Sequence, residues 1–284
     1  MFAWLLILLT CCCQKSPDVI LVTIDGTRWQ EVYNGSDVSR DGGHHLTPRQ
    51  IVPNLYNSFV DQGIAVGKTT PMIATGPNHI SLPGYLEITR GHPSTDCQTN
   101  TCDPTIDQSV FWFFQKAAVF SSWSTISKTI PTNAHVTMDT GGGAYYRPDG
   151  ETEEATLAYL MRNNPDFLWV SLGDTDEWAH HNSYDNYLKS LHSADKFIGD
   201  LVKLYPNSTI IVTVDHGRSK YFSNHGPDKE SERVWLMMRG PNVPHKGFVK
   251  TQSVSLSNIF STITDVEFDS HSPQSILSRI QNGN

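Results

Sequence analysis

Three apolar runs in the 284-residue chain each end in carboxylate or imidazole side chains. The run Val19–Ile24 is followed by Asp25. The run Phe167–Leu172 is followed by Gly173-Asp-Thr-Asp176-Glu-Trp-Ala-His180. The run Thr209–Val214 is followed by Asp215-His216-Gly217, with His225 nine residues beyond His216. Carboxylate oxygens and imidazole nitrogens are the ligands that zinc accepts. Asp176 and His180 are spaced i, i+4, so one face of a helix presents both to a single ion. Asp215 and His216 are adjacent, and adjacent side chains diverge. That arrangement suits two ions, which sit roughly 3.5–4 Å apart in two-metal sites. With Asp25 the count is six ligands, three per metal, leaving positions open for a nucleophile and a substrate.

Ser81 is the candidate nucleophile. Ser81-Leu-Pro-Gly-Tyr-Leu-Glu-Ile reads as the start of a helix, with Ser a favoured N-cap and Pro tolerated in the first turn. A serine oxygen there would face free backbone N–H groups and the positive end of the helix dipole, which favour an alkoxide and a phosphoryl group alike. A zinc ion beside it would lower the hydroxyl pKa.

Elements that could position these groups recur along the chain. The continuous apolar runs at 18–24, 167–172, 209–214 and 234–238, with a weaker one at 119–123, read as buried parallel strands. Residues 183–204 carry Tyr187, Leu191, Ala194, Ile198 and Leu201 on one helical face, and 53–62, 153–163 and 256–264 also read as helices. Strand alternating with helix implies a three-layer α/β sandwich around a mostly parallel sheet, in which function gathers beyond the carboxyl ends of the strands. Residues 34–50 and 90–106 read as loops, and Gly141-Gly-Gly143 as a turn that lacks the Lys-Ser/Thr of a P-loop. Trp112-Phe-Phe114, Trp123 and Trp178 are expected in the core, with flanking the site as the alternative for Trp178.

Composition narrows the partners. Hydrophobic residues are 38%, charged residues 18% and the net charge is −8, which excludes a disordered tail or a coiled coil. No basic stripe suggests duplex nucleic acid, and an anionic substrate would need a local cation such as a metal. Residues 1–16 read as a signal or lipoprotein signal, with Phe2–Leu9 too short to span a bilayer and Cys11 or Cys12 placed three after a Leu, as in a lipobox, for lipid anchoring. An exported protein, periplasmic or at the cell surface, follows, with residues 17–284 forming one catalytic domain. Cys97 and Cys102 close a small loop and pair as a disulfide in an oxidising compartment.

Together these pieces resemble the alkaline phosphatase superfamily, which includes phosphodiesterases, cofactor-independent phosphoglycerate mutases and sulfatases. Val22-Thr-Ile-Asp25-Gly26 looks like its first metal-ligand strand. Ser81 to Gly91 looks like its nucleophile helix, Asp176-Glu-Trp-Ala-His180 like its Asp-x-x-x-His, Val214-Asp-His216-Gly217 like its Asp-His-Gly, and Asn224-His225-Gly226 like its last zinc His. The resemblance implies one zinc on Asp176, His180 and His225. It implies a second on Asp25, Asp215 and His216, and a phosphoserine at Ser81, in a hydrolase of small phosphate esters. Other divalent metals remain compatible with these ligands.

Several residues depart from the family pattern. The sulfatase Cys-x-Pro-x-Arg is absent. The phosphodiesterase Asn after the nucleophile is Gly84 here, which leaves Asn78, Arg28 or Arg218 to bind the phosphoryl oxygens. Thr75-Gly-Pro-Asn78-His79 offers a rival register with Thr75 as nucleophile, but only Ser81 also matches Gly91 at the end of the helix. Phosphodiester or phosphonate hydrolysis, or phosphoryl transfer, is the alternative on the same site. An exported metal-binding module without catalysis is the alternative of another class.

Overall fold

The computed structural model describes residues 16–141 and 146–281. Cys11, Cys12 and Cys13, and Gly142-Gly143 of the glycine turn, lie outside them. No helix among the described residues is long and apolar enough to cross a membrane.

The strands are β1 (Val19–Ile24), β2 (Ile64–Val66), β3 (Met72–Ile73), β4 (Ala117–Ser121), β5 (Val136–Asp139), β6 (Phe167–Leu172), β7 (Thr209–Thr213), β8 (Arg233–Val234), β9 (Leu236–Arg239), β10 (Gly247–Phe248) and β11 (Val254–Ser255). The helices are α1 (Trp29–Tyr33), α2 (Pro48–Ile51), α3 (Pro53–Leu55), α4 (Ser81–Arg90), α5 (Asp149–Leu160), α6 (Asp174–His180), α7 (Tyr184–Leu204) and α8 (Ser257–Phe268). An eight-stranded sheet has the order β10-β2-β9-β7-β1-β6-β4-β5, and β11-β3-β8 form a small second sheet. Helix α4 packs with α8, while α3 and α6 pack with α7. With the sheet between them they make the three-layer α/β sandwich that the alternation of strand and helix implied.

Every residue of β1, β6 and β7 is buried, which is why these strands are continuous apolar runs. They run parallel and in register, Ile24 beside Leu172 and Thr23 beside Thr213. The residues that follow them therefore emerge at one level of one sheet edge.

Two expectations are corrected. The run at 234–238 divides into β8 and β9, and β9 is antiparallel to β7 and to β2. The connection from β7 to β9 is a loop with no crossover helix, so the chain returns in the opposite direction. Trp112 and Phe113 are on the surface, whereas Phe111 and Phe114 are buried, Phe114 stacking on Phe167 with ring centroids 4.8 Å apart. Val110–Phe113 is a 3₁₀ turn, in which neighbouring side chains cannot share a face. Trp178 is likewise exposed, against His181, while Trp123 packs on the core.

Candidate metal centre

Asp25 follows β1 with its backbone held at both ends: its N–H donates to Leu172 O (2.9 Å) and its carbonyl accepts from Thr175 Oγ1 (2.6 Å). Gly26 then turns in the left-handed region, φ +58°. A side chain there would collide with the Asp176 carboxylate and the Arg218 guanidinium, so glycine is needed for space as well as for conformation. Asp25 Oδ2 accepts from the Tyr85 hydroxyl (2.9 Å). Its Oδ1 is buried, makes no hydrogen bond, and lies 3.4 Å from His216 Nε2.

Beyond β7 the backbone leaves the strand at Val214. Asp215 and His216 were expected to diverge; in this irregular segment they converge, with Oδ2 of Asp215 lying 3.3 Å from His216 Nε2. Asp215 Oδ1 accepts from Gly26 N (3.1 Å), and Oδ2 is buried without a hydrogen bond. Helix α6 carries the i, i+4 pair as expected, with His180 Nε2 3.0 Å from Asp176 Oδ2. His225 comes from the loop after β7, its Nε2 3.1 Å from His180 Nε2 and its ring stacked on His216 with centroids 3.9 Å apart.

The chain thus brings all six expected ligands together, but not as two separate threes. Ligand atoms of Asp176, His180 and His225 lie within 4.8 Å of one another, and so do those of Asp25, Asp176 and His216. Asp176 faces both sets, with Asp215 at the edge of the second.

Tautomers test whether this donor set suits cations. The Nδ1 atoms of His180, His216 and His225 each rest on a backbone carbonyl, Ser223 O (2.9 Å), Gly217 O (2.8 Å) and His79 O (3.2 Å). A carbonyl only accepts, so each Nδ1 carries a hydrogen and each neutral ring keeps its Nε2 lone pair for the cluster. Facing lone pairs, together with two buried carboxylate oxygens that lack hydrogen bonds, call for positive charge between them. The electrostatics agree. Burial, then the charges of Asp215 and Asp176, push the Asp25 carboxyl well above its ordinary range. Burial and Asp176 do the same to Asp215. Burial pushes the His225 imidazole down to about 4 and holds His216 well below its usual value. Asp176 and His180 are the exceptions. Burial opposes the Asp176 charge, yet the Arg218 guanidinium beside it holds its carboxyl well below the ordinary range, and the Asp176 carboxylate in turn raises the His180 imidazole above its usual value. The donors therefore fit divalent cations.

Ser81 Oγ is buried 3.4 Å from His216 Nε2, directed at that lone pair. It occupies the first helical position of α4 rather than the N-cap, which is Ile80. The free N–H groups expected around it are mostly taken. Leu82 N donates to Asn100 Oδ1 (3.0 Å), Gly84 N to Ile80 O (3.0 Å), and Pro83 has none. Thr75, the rival nucleophile, is bound to Glu87 through both its N–H (2.8 Å) and its hydroxyl (2.7 Å). Gly84 has a packing reason, since a side chain there would collide with the backbone carbonyl of Asp215.

The candidate phosphoryl-binding residues separate. Arg28 is held by buried Glu31 and by Asp37, so its guanidinium is neutralised away from this role. Asn78 donates one amide N–H to Gln98 O (2.9 Å), and its buried Oδ1 has no hydrogen bond. Arg218 binds Phe222 O through Nε and Asp176 through Nη1, and its Nη2 is buried without a partner. Cys97 and Cys102 form a disulfide, Cα–Cα 5.6 Å, whose loop carries Asn100 and Gln98 to the start of α4.

Sequence reasoning missed three supports. Asp149, at the start of α5, accepts from Gly173 N (2.7 Å) and Asp174 N (3.1 Å), capping α6 from 25 residues away in sequence. His79 donates through Nδ1 to Gly226 O (2.9 Å) while its own carbonyl orients His225. Phe222 sits at φ +64° and turns its carbonyl to Arg218. The contacts of Asp149 and His79 leave no local signal because they join segments distant in sequence, and the Phe222 carbonyl meets Arg218, four residues away, only because of its left-handed backbone.

The model of the Metalloenzyme superfamily matches residues 125–267. Phosphopentomutase of Clostridium perfringens is 29% identical over 114 residues, 39% of this chain and only 28% of that enzyme's length. The lipoteichoic acid synthase LtaP from Listeria monocytogenes superposes with a TM-score of 0.64 at 12% identity, covering 93% of this chain and 75% of that one. A protein in the alkaline phosphatase superfamily from Vibrio parahaemolyticus gives 0.58 at 15% identity, covering 89% and 67%. At such identities the superpositions speak for the fold, whereas the family model spans half of the chain and takes in Asp176, His180, Asp215, His216 and His225. The chain belongs to the Metalloenzyme superfamily and has the alkaline-phosphatase-like fold.

Proposed function

We propose that this protein is a phosphoester hydrolase that uses two divalent cations, zinc by ligand type, and Ser81 as its nucleophile. The observation that carries this reading is the position of Ser81 Oγ, buried at the start of α4 and 3.4 Å from His216 Nε2 among the converging ligand atoms. Asp176, His180 and His225 would hold one cation and Asp25, Asp215 and His216 the other, with Asp176 between them. When bound, such cations lower the pKa of a nearby hydroxyl and neutralise charge on a phosphoryl group. Ser81 Oγ bonds to phosphorus as the ester oxygen leaves, and water then cleaves the Oγ–P bond in a second displacement. Arg218 Nη2, the buried donor with no partner, supports the non-bridging oxygens. The cysteine pairing supports an exported protein in an oxidising compartment.

The match to phosphopentomutase favours a second reading, in which a hydroxyl of a phosphorylated sugar rather than water receives the phosphoryl group from Ser81. Zinc-loaded protein is assayed on p-nitrophenyl phosphate and bis-p-nitrophenyl phosphate, with and without a sugar acceptor. Turnover that is lost on chelation, and falls about 10⁴-fold in Ser81→Ala with metal content unchanged, is the expected result. A Ser81→Ala variant that keeps full turnover overturns the mechanism.

A further inference from the structure

The two buried carboxylates of the cluster divide their oxygens in the same way. Asp215 gives Oδ1 to Gly26 N and leaves Oδ2 open. Asp25 gives Oδ2 to the Tyr85 hydroxyl and leaves Oδ1 open. In the first case the clamp is backbone, which every side-chain substitution leaves in place. In the second it is a side chain. Tyr85 lies four residues after Ser81, one turn along the same face of α4. It is fully buried, and its ring packs on Trp169 with centroids 5.7 Å apart. Its hydroxyl accepts from Ser171 Oγ (3.3 Å), next to the carboxyl end of β6, while donating to Asp25 (2.9 Å). Trp169 in turn donates to Thr23 Oγ1 (3.1 Å), so the ring is backed by a fixed neighbour. One helix therefore carries the nucleophile and, a turn below it, the group that orients a ligand.

We propose that Tyr85 is a positioning residue for the inner cation: it ties Asp25 Oδ2 and so presents Oδ1 as a single, aimed donor. The inference rests on the reading that Asp25, Asp215 and His216 hold a divalent ion. Groups that orient a ligand from behind it cost about 10–100-fold in metal affinity when removed. Loss of the Tyr85 hydroxyl would leave Asp25 with two unsatisfied oxygens free to rotate, while the ring still fills its place against Trp169.

The test uses full-length protein stripped with chelator and titrated with Zn²⁺ against a chromophoric competing chelator. The wild type is expected to take up two ions. Tyr85→Phe is expected to bind one of them about 10–100-fold more weakly and the other unchanged, whereas His180→Ala weakens the other ion. A Tyr85→Phe variant that binds both ions like the wild type overturns the proposal, and so does one that loses both in parallel, which is what a merely structural role would do. If Tyr85→Phe does not fold, Ser171→Ala reads the same chain one link further back. A smaller loss confined to the same ion supports the proposal, and unchanged affinity overturns it. A wild type that takes up no zinc instead overturns the metal reading itself and is distinguishable from either outcome for Tyr85.

Discussion

The inner and outer halves of the cluster are built differently. The inner half, Asp25, Asp215 and His216, stands on the ends of two neighbouring, fully buried strands, and all three side chains are buried. The outer half, Asp176, His180 and His225, stands on a seven-residue helix and a loop, and the His180 side chain is 43% exposed. The inner carboxylates are pushed toward the neutral form by burial, whereas Asp176 already has Arg218 beside it. Burial thus leaves the inner carboxylates with no adjacent countercharge among the described residues, while the outer half has the Arg218 guanidinium beside Asp176.

The largest test of this contrast compares His216→Ala with His180→Ala. His216 has no solvent to replace it, while water can reach the place of His180. Both variants should weaken an ion, and His216→Ala by more than the roughly 10–100-fold typical of an orienting group. Zinc titration of each variant checks the order, and equal losses would erase the distinction.

The outer half also hangs on Asp149, which caps α6 and whose carboxyl burial raises to about 6. A carboxyl with a raised pKa holds its proton more tightly in the folded protein. Its contribution is therefore full below the unfolded value near 3.8 and fades as pH rises through about 6. Relative to Asp149→Asn, metal-free wild type should lose up to about 3 kcal/mol of stability across that window. Urea unfolding at pH 4 and pH 7 measures it, and a pH-independent difference contradicts it.

Gly84→Ala gives the smallest expected effect and acts on the inner half alone. The added methyl meets the Asp215 carbonyl, and overpacking of this kind costs about 1–3 kcal/mol. Gly150→Ala, whose methyl meets nothing within 4 Å, is the matched control. Thermal unfolding of both variants separates a local collision from a helix-propensity effect.

Much of this was legible before folding. Wholly buried strands are mostly apolar, so β1, β6 and β7 stand out, and an Asp or His that closes such a run is conspicuous. Helical spacing made Asp176 and His180 a pair. The order of motifs from Asp25 to His225 carried the family. The rest was hidden because its causes are contacts. Nothing near Gly84 announces the approach of Asp215. Nothing near Arg28 announces that Tyr184, 156 residues away, shares Glu31 with it. The neighbours Asp215 and His216 would obey the divergence rule in regular backbone, but β7 ends at Thr213, before either of them.

By itself, then, the sequence determined the kinds of ligand atom, the strands that deliver them and the layer architecture, because burial and periodicity act on nearest neighbours along the chain. Tertiary structure alone decided how the candidate ligand atoms converge around Asp176, which histidine nitrogen keeps its lone pair, and which side chain stands behind Asp25. Those are set by carbonyls and hydroxyls that only folding brings within about 3 Å.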